Sequence, residues 1–357
     1  MNAAATPFDI FRQHGGKVEA ARALFPEVRS AWIDLSTGIS PWAYPHERID
    51  GAAFTRLPDP ELLAHLEQAA ARSFGIEDAS CVIAAPGSDL ALRLLGTVFA
   101  GRRVAVVRPG YSGHVLAWDG APLTFVSADD METAAGSHDV LVLANPNNPD
   151  GRRIPRDRLL ALREKLVPRR GTLVVDEAFA DAQPENSLCN CAGEGLNGVA
   201  PGAHRHNASA GLIVFRSFGK FFGLAGLRLG FIAATADAQR RFRHALGDWP
   251  VSGPAAAIGI AAYNDLAWQA LQRKRLAIAA RRLDELLTRA GFTIAGGTVL
   301  FRLARCADAN AAFRHLASHG ILTRPFTSDN TLLRIGLPAD ELQWQRLGDS
   351  LIRERTQ

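Results

Sequence analysis

A lysine near the middle of the chain, Lys220, lies in a segment of unusual composition. It follows Ser217–Gly219 and precedes two phenylalanines, directly after an apolar run that predicts a buried strand. Most of the 40 basic residues are arginines, which serve where only charge is needed. A lysine amine, by contrast, can lose its proton and attack a carbonyl group. The segment predicts an amine nucleophile at Lys220, with an exposed loop lysine as the alternative.

An acidic residue, Asp176, ends another very apolar run, Leu173–Val175. A carboxylate in such a place is costly unless a cation balances its charge. A protonated pyridine nitrogen is one such cation, and an aspartate beside it strengthens the ring as an electron acceptor. A helix-capping aspartate or an ion pair with an arginine is the alternative interpretation.

A turn rich in asparagine and proline, Asn145–Gly151, follows a third apolar run, Val140–Ala144. The prolines keep the backbone extended and rigid, and Gly151 allows a left-handed conformation. An asparagine held in such a turn is able to donate a hydrogen bond to an oxyanion such as a phenolate. The same residues also make an ordinary turn that binds nothing.

Two short segments have the composition of a phosphate site. Gly87, Ser88 and Asp89 lie between a predicted strand and a predicted helix, where backbone N–H groups at a helix N-terminus attract anions. Ser217 and Arg228 flank the lysine, and an arginine binds phosphate through two parallel hydrogen bonds. Helix capping by the first group and an ion pair of Arg228 are the alternatives.

Tyr111 follows a further apolar run, Val104–Val107, and its ring could stack on a flat ligand or simply pack against the protein. Together these segments supply an amine nucleophile, a partner for a pyridinium, a donor to a phenolate, a stacking ring and a phosphate cup. Pyridoxal 5′-phosphate (PLP) requires these parts. We therefore predict that the chain binds PLP as a Schiff base on Lys220.

The elements that must position these residues are short apolar runs that alternate with helical patterns such as Ser88–Phe99 and Pro155–Val167. Such runs predict strands buried on both faces. The predicted strands are Cys81–Ala85, Val104–Val107, Leu123–Val126, Val140–Ala144, Leu173–Asp176, Leu212–Arg216 and Leu229–Ala233. We expect an α/β fold with a seven-stranded, mostly parallel sheet flanked by helices. In such folds ligands bind at the carboxyl ends of the strands.

The pattern changes in the last third of the chain, which predicts a smaller α+β domain. It predicts one long helix, Trp268–Ala290, and the strands Thr298–Leu303, Ile321–Arg324 and Leu332–Ile335, with a helix between the first two strands. We therefore expect an N-terminal arm that joins the small domain over residues 1–50. The large PLP-binding domain is expected over 51–245 and the small domain over 246–357.

The composition restricts the class of protein. A chain of 357 residues that is 47% hydrophobic can bury the cores of two domains. The formal net charge is only +4 and the basic residues are scattered among acids, so we expect no nucleic-acid partner. There is no apolar run long enough to span a membrane and no secretory signal, and the 4 cysteines suggest no disulfide framework. We expect a cytoplasmic protein whose partner is a small anionic substrate.

A metal site is a possibility that the sequence leaves open. Cys189, Cys191, His204 and His206 lie in a loop-like stretch, 183–211, and these residue types bind zinc. Their spacing is irregular for a structural zinc site, and a loop particular to this lineage is the alternative. We predict that the protein has no metal site.

At the level of motifs the chain resembles the fold-type I PLP-dependent superfamily, on the side of the histidinol-phosphate aminotransferases. More closely it resembles the threonine-phosphate decarboxylases of cobalamin biosynthesis. The resemblance covers nearly the whole chain. The motifs that carry it are His14–Gly16, Asp34–Pro41, Leu57–Pro60, Asn145–Gly151, Asp176–Phe179, Ser217–Gly230, Ile321–Arg324 and Leu333–Gly336.

The resemblance implies a role for each matching residue. Lys220 would carry the cofactor, and Asp176 would bind its pyridinium nitrogen. The other implied cofactor contacts are Gly87, Ser88, Asp89, Tyr111, Asn148, Phe179, Ser217 and Arg228. The implied substrate contacts are His14, Thr37, Gly38, Asn148, Arg324 and Arg334, of which Arg334 would bind the α-carboxylate, with His14 and Arg324 near the substrate's phosphate.

The resemblance implies decarboxylation of L-threonine O-3-phosphate by a homodimer, with Lys220 returning a proton to Cα. Two departures from the superfamily pattern stand out. Phe179 replaces a tyrosine common in aminotransferases, which favours the decarboxylases. Leu57 replaces a tyrosine that in relatives reaches the neighbouring subunit's PLP phosphate. A histidinol-phosphate-type aminotransferase and a non-catalytic PLP-binding regulator or scaffold are the alternatives.

Overall fold

The computed structural model describes residues 7–46, 49–118, 120–192 and 211–353. Strands are numbered in chain order: β1 Ile33–Asp34, β2 Val82–Ala85, β3 Val104–Val107, β4 Leu123–Val126, β5 Val140–Ala144, β6 Thr172–Asp176, β7 Gly211–Ser217, β8 Gly230–Ala234, β9 Thr293–Thr298, β10 Phe301–Arg305, β11 Ile321–Leu322, β12 Arg324–Pro325 and β13 Leu332–Gly336.

The α-helices are numbered in the same way: α1 Ile10–Gln13, α2 Val18–Leu24, α3 Ala52–Thr55, α4 Pro60–Phe74, α5 Ser88–Arg93, α6 Leu95–Val98, α7 Ser112–Leu116, α8 Met131–Ser137, α9 Arg156–Leu166, α10 Phe218–Phe221, α11 Ala236–Leu246, α12 Gly253–Asn264, α13 Leu266–Arg289, α14 Ala309–Ser318 and α15 Glu341–Arg353. Within the described ranges, no helix is both long enough and apolar enough to cross a membrane.

The chain divides into two compact units. The larger unit contains the described residues of Ala43–Asn148 and Arg152–Leu271. The smaller unit contains the described residues up to Trp42, the segment Pro149–Gly151 and the described residues from Gln272 onward. This division differs from the boundaries that we expected at residues 50 and 245.

Helix α12 explains the later boundary. It packs against α4 in the larger unit, and a Cβ atom on Gly259 would lie 2.6 Å from Cδ1 of Leu66. Glycine and alanine along α12 allow this close approach, so the helix belongs to the larger unit. The sequence expectation failed here because an alanine-rich helix gives no signal of the partner against which it packs.

The larger unit is built on a seven-stranded sheet with the order β2-β8-β7-β6-β5-β3-β4. Strand β8 runs antiparallel to β2 and β7, and all other neighbouring strands are parallel. Strands β2, β3, β5, β6 and β8 are buried along their whole length, as expected for a sheet covered by helices on both faces. The predicted sheet is confirmed, and each predicted strand end lies within one residue of the observed one.

Two predicted helices of the larger unit differ in detail from the structure. The predicted helix Ser88–Phe99 is broken at Leu94 into α5 and α6. The chain comes close at this point, because a Cβ atom on Gly96 would lie 2.5 Å from the carbonyl oxygen of Ala117. The predicted helix Pro155–Val167 is confirmed as α9.

The smaller unit contains an antiparallel sheet with the order β12-β13-β10-β9 and a parallel pair, β1 and β11. The expected single strand Thr298–Leu303 is wrong, since the chain forms a hairpin of β9 and β10. The expected strand Ile321–Arg324 is divided between the two sheets as β11 and β12. The long helix predicted over Trp268–Ala290 is observed as α13.

Glycines made the hairpin difficult to predict, because they normally interrupt strands. Gly296 and Gly297 lie inside β9, where a Cβ atom on Gly296 would be 2.1 Å from the carbonyl oxygen of Asp150. Gly297 has a φ of +139° and donates its N–H to that same carbonyl at 2.8 Å. Close packing against the turn Pro149–Gly151 therefore requires glycine in this strand.

Candidate active site

Segments with reactive or ligand-binding side chains meet at one edge of the large sheet. Strands β2, β3, β5, β6 and β7 all run in the same direction, so their carboxyl ends lie at the same edge. The segments that follow these strands are Pro86–Asp89, Pro109–Tyr111, Asn145–Asn148, Glu177–Phe179 and Phe218–Lys220. The structure thus brings together the segments that were singled out from the sequence, at the position where sheets of this kind bind ligands.

Asp176 is the last residue of β6 and is nearly buried. Its Oδ1 accepts a hydrogen bond of 3.0 Å from the backbone N–H of Ala178, and its Oδ2 lies 2.9 Å from Nε2 of His114. Both contacts fix the carboxylate, and each oxygen keeps capacity to accept another hydrogen bond from a ligand cation. The position fits the role of partner to a pyridinium nitrogen.

His114 is a site residue that the sequence analysis missed. It is completely buried on α7, and its Nδ1 has no hydrogen-bond partner among the described residues. Nε2 is the ring nitrogen that faces the carboxylate of Asp176. The only signal in the sequence was its spacing of three residues from Tyr111, which places both on one turn of chain.

Tyr111 precedes α7 and its hydroxyl donates a hydrogen bond of 2.8 Å to Oδ1 of Asp89. Burial, followed by this hydrogen bond, raises the pKa of Tyr111, so the phenol stays neutral. Its ring occupies the space next to Gly113, where a Cβ atom would lie only 2.3 Å from Cε1 of the ring. Asp89, expected as a cofactor contact, therefore also orients the tyrosine that is predicted to stack on the cofactor.

A cup for a phosphate lies where β2, β8 and β7 are adjacent, since Ala85 and Ser217 both pair with Gly230. A Cβ atom on Gly230 would lie 2.4 Å from the backbone nitrogen of Ser88. A Cβ atom on Gly87, whose φ is +90°, would lie 2.7 Å from Nη2 of Arg228. Only glycines leave these N–H and guanidinium donors accessible, and such a set of donors fits the phosphate of PLP.

Lys220 lies on the one-turn helix α10, immediately after β7. Its Nζ is 5.9 Å from the centre of the Phe179 ring, which is nearly buried. The helix packs on aromatic rings: Phe218 and Phe222 stack at 4.4 Å, and Phe222 stacks on Trp268 at 5.7 Å. The helix thus places the lysine amine beside Phe179 at the carboxyl edge of the sheet.

Asn145 and Asn147 fix the asparagine-rich turn through hydrogen bonds to the backbone. Asn145 exchanges hydrogen bonds of 3.1 and 2.8 Å with the backbone of Ile154, and Asn147 donates one of 2.9 Å to the carbonyl oxygen of Pro109. These contacts tie the turn to the neighbouring segment that carries Tyr111. Asn148 is half-buried at the end of the turn and stays the predicted ligand contact.

Two arginines of the smaller unit face each other across β12 and β13. Arg324 and Arg334 are paired in the antiparallel register, and they are 9% and 4% exposed. Arg334 donates a hydrogen bond of 2.7 Å to the carbonyl oxygen of Ser36, and Arg324 one of 2.8 Å to that of Gln13. Burial, and then the charge of Arg324, lower the pKa of Arg334 to about 9. Like charges held this close favour the binding of an anion.

The remaining predicted substrate contacts lie in the same part of the smaller unit. His14 follows Gln13, and a Cβ atom on Gly15 would lie 2.4 Å from the carbonyl oxygen of Ser36. Thr37 and Gly38 come next along the chain. Through the carbonyl oxygens of Gln13 and Ser36, the two arginines contact the chain directly next to His14 and Thr37.

The described residues contain no group of three or more histidine, cysteine, aspartate or glutamate side chains able to hold a metal ion. Cys189 and Cys191 are buried and form no disulfide bond, whereas His204 and His206 lie outside the described residues. The zinc alternative therefore receives no support from the cysteines, and its histidines are not described.

The sheet topology and the edge residues define the fold-type I class of PLP-dependent enzymes. The chain belongs to the class I and II aminotransferase family, whose family model matches residues 18–345. It is similar to the threonine-phosphate decarboxylase of Pseudomonas aeruginosa, with 40% identity over 344 residues, 95% of this chain and 97% of the relative. PLP is the cofactor of the present chain.

Two further relatives show how the family extends. The histidinol-phosphate aminotransferase of Rhodospirillum centenum is 30% identical over 367 residues, which cover 96% of each chain. The solved histidinol-phosphate aminotransferase of Sinorhizobium meliloti, in complex with PLP, has the same fold with a TM-score of 0.78 at 22% identity, over 99% of both chains. The expected fold class is confirmed by this likeness.

Proposed function

We propose that the chain decarboxylates L-threonine O-3-phosphate to (R)-1-aminopropan-2-ol O-2-phosphate and CO2, and that this product serves cobalamin synthesis. The pairing of Arg324 with Arg334 carries the substrate class, because two facing cations suit a molecule that has both a carboxylate and a phosphate. The similarity to a threonine-phosphate decarboxylase at 40% identity supports the reaction.

The residues divide the work between binding and proton transfer. PLP, when bound, withdraws electrons from the bonds at the substrate's Cα. Asp176, supported by His114, would keep a proton on the ring nitrogen of the cofactor. The donors around Gly87 and Arg228 would hold its phosphate, and Lys220 would deliver a proton to Cα.

The reaction is tested by incubating the PLP-loaded enzyme with L-threonine O-3-phosphate. We expect CO2 to be released in a one-to-one ratio to the substrate consumed, without any added 2-oxoacid. Histidinol phosphate with 2-oxoglutarate is the comparison, because the histidinol-phosphate aminotransferases are 30% identical to this chain. A requirement for the 2-oxoacid, with its consumption and no CO2, would replace the decarboxylase by an aminotransferase.

Replacing Arg334 with methionine should lower kcat/KM by about 10²- to 10³-fold, mainly through KM. The carboxylate loses its charge as CO2 forms, so its contact with Arg334 is weaker in the transition state than in the bound substrate. Arg324→Met should cost a similar factor with the phosphorylated substrate. Steady-state kinetics of both variants measure these effects.

Arg305→Met is the matched control, because Arg305 lies on β10 of the same sheet and pairs with Asp329 at an exposed position. We expect its kcat/KM to stay within about twofold of the unmodified enzyme, as for most surface ion pairs. Unchanged kinetics in both Arg324→Met and Arg334→Met would exclude them as the anion-binding residues.

We further propose that the enzyme works in the cytoplasm as a homodimer. Phe54 and Leu57 are 69% and 68% exposed, and Trp249 near α12 is 57% exposed. Helix α3, which contains Phe54, packs against α12, so these apolar residues belong to one region of the larger unit. A second copy of the chain would cover them. Light scattering should give twice the chain mass of 38.4 kDa, and a monomer would contradict the proposal.

A further inference from the structure

A cluster of buried charges lies next to the residues assigned to the cofactor, but does not include them. Arg216 directly precedes Ser217, and Glu177 directly follows Asp176. Arg216, Glu177 and Asp181 are 2%, 0% and 3% exposed. So many buried charges are costly, and none of them has a part in the reaction as described above.

Arg216 joins the two carboxylates. Its Nη1 donates a hydrogen bond of 3.1 Å to Oε2 of Glu177, and its Nη2 donates to Oδ1 of Asp181. The ring of Phe74 covers the guanidinium, with its centre 4.5 Å from Cζ. Burial opposes the charge, but Asp181 and Glu177 hold the pKa of Arg216 well above its usual range. The arginine thus stays cationic and uses its planar shape to bridge two partners.

Glu177 extends the cluster to the chain that follows β6. Its Oε2 accepts a hydrogen bond of 2.6 Å from the hydroxyl of Ser187, and its Oε1 accepts one of 2.7 Å from the N–H of Leu188. Its own backbone N–H donates to the carbonyl oxygen of Phe215 at 2.9 Å, which continues the pairing of β6 with β7 by one residue. Glu177 is therefore fixed by side chain and backbone together.

The neighbouring positions of each strand carry the residues that meet the cofactor. Side chains alternate between the two faces of a strand, so the hydrogen bonds that fix Arg216 also fix the direction in which Ser217 points. The hydrogen bonds of Glu177 fix the direction of Asp176 in the same way. Because Arg216 bridges β7 and Glu177, the two strand ends are also fixed relative to each other.

We propose that the Glu177–Arg216–Asp181 cluster is a positioning device for the cofactor, which sets the orientation of Asp176 relative to Ser217 and Lys220. The proposal concerns how this chain holds PLP and does not depend on which substrate it uses. Arg216 and Glu177 act through their sequence neighbours and are positioning residues rather than catalytic ones.

The test compares Arg216→Lys with the unmodified enzyme. Lysine keeps the charge but lacks the planar fork that reaches both carboxylates. We expect the dissociation constant of PLP to rise about tenfold or more, and the visible circular dichroism of each bound cofactor to fall by about half. The second signal reports how the cofactor is oriented, which a loss of fold stability alone does not change. Glu177→Gln keeps one acceptor oxygen and replaces the other by an NH2 donor, which should raise the dissociation constant about threefold.

Arg158→Lys is the control, because Arg158 makes a similar paired contact with Glu132 at an exposed site on α9. It should leave PLP affinity and the circular dichroism within about twofold of the unmodified enzyme. If Arg216→Lys also leaves both signals within twofold, even with a lower melting temperature, the cluster serves stability alone and the proposal fails. Should that variant not fold, unchanged signals in Glu177→Gln decide against the proposal in the same way.

The role of Lys220 is tested separately by the loss of the covalent cofactor in Lys220→Ala. If Lys220→Ala kept the covalent cofactor, the assignment of Lys220 would be wrong. If Arg216→Lys left PLP affinity and circular dichroism unchanged, only the positioning role would be wrong.

Discussion

Lys220→Ala should abolish the visible absorbance band of the lysine-bound cofactor and lower kcat by about 10⁴-fold, roughly 5.4 kcal/mol of transition-state stabilisation. In the proposed roles the amine would form the covalent link to PLP and would also deliver the proton to Cα, so alanine should remove both functions. The change itself is small for the fold, because Lys220 is only half-buried at the end of a one-turn helix. Absorbance spectra and CO2 release measure the two losses independently.

Lys165→Ala provides the control, since Lys165 is an exposed lysine on α9. Its spectrum and its kcat should equal those of the unmodified enzyme. An intact band in Lys220→Ala would show that another amine holds the cofactor, and the assignment of the edge segment would be wrong.

Asp176→Asn should lower kcat by about 10³-fold, roughly 4 kcal/mol, with PLP still bound. Asparagine has nearly the same shape and can still accept from the N–H of Ala178, but it lacks the negative charge that would keep a proton on the pyridine nitrogen. The cofactor would then be a weaker electron acceptor. Pre-steady-state measurement of CO2 release, with PLP saturating, separates this loss from a loss of cofactor.

His114→Asn gives a graded comparison with that variant. His114 contacts Asp176 but is not assigned a contact with the cofactor, so we expect a smaller loss of about tenfold. A loss as large as that of Asp176→Asn would mean that the histidine determines the charge of the pair. No loss in Asp176→Asn would remove the aspartate from the catalytic group.

The large sheet could be predicted because its strands are buried on both faces. Continuous apolar runs of about five residues between turn signals, such as Val140–Ala144, favour such strands. If these runs are parallel strands, the polar residues that follow them along the chain must lie at one edge of the sheet. This reasoning placed Asp176, Lys220 and Tyr111 together before any distance was known.

Features that depend on contacts between distant residues could not be predicted. His114 contacts Asp176 although the two residues are 62 positions apart in the chain, and the sequence around neither residue indicates this contact. Arg216 and Asp181 are 35 positions apart. In the smaller unit, the glycines of β9 were misleading because a strand containing them is stable only against the turn at Asp150.

The facing arginines of β12 and β13 also make the enzyme responsive to the ions around it. Two cations held opposite each other bind any doubly charged oxyanion to some degree, and inorganic phosphate is abundant inside cells. Free phosphate should therefore occupy the pair when substrate is scarce and stabilise the fold as its concentration rises. If the pair binds the substrate as proposed, phosphate would compete with it, and kcat/KM should fall as the phosphate concentration rises.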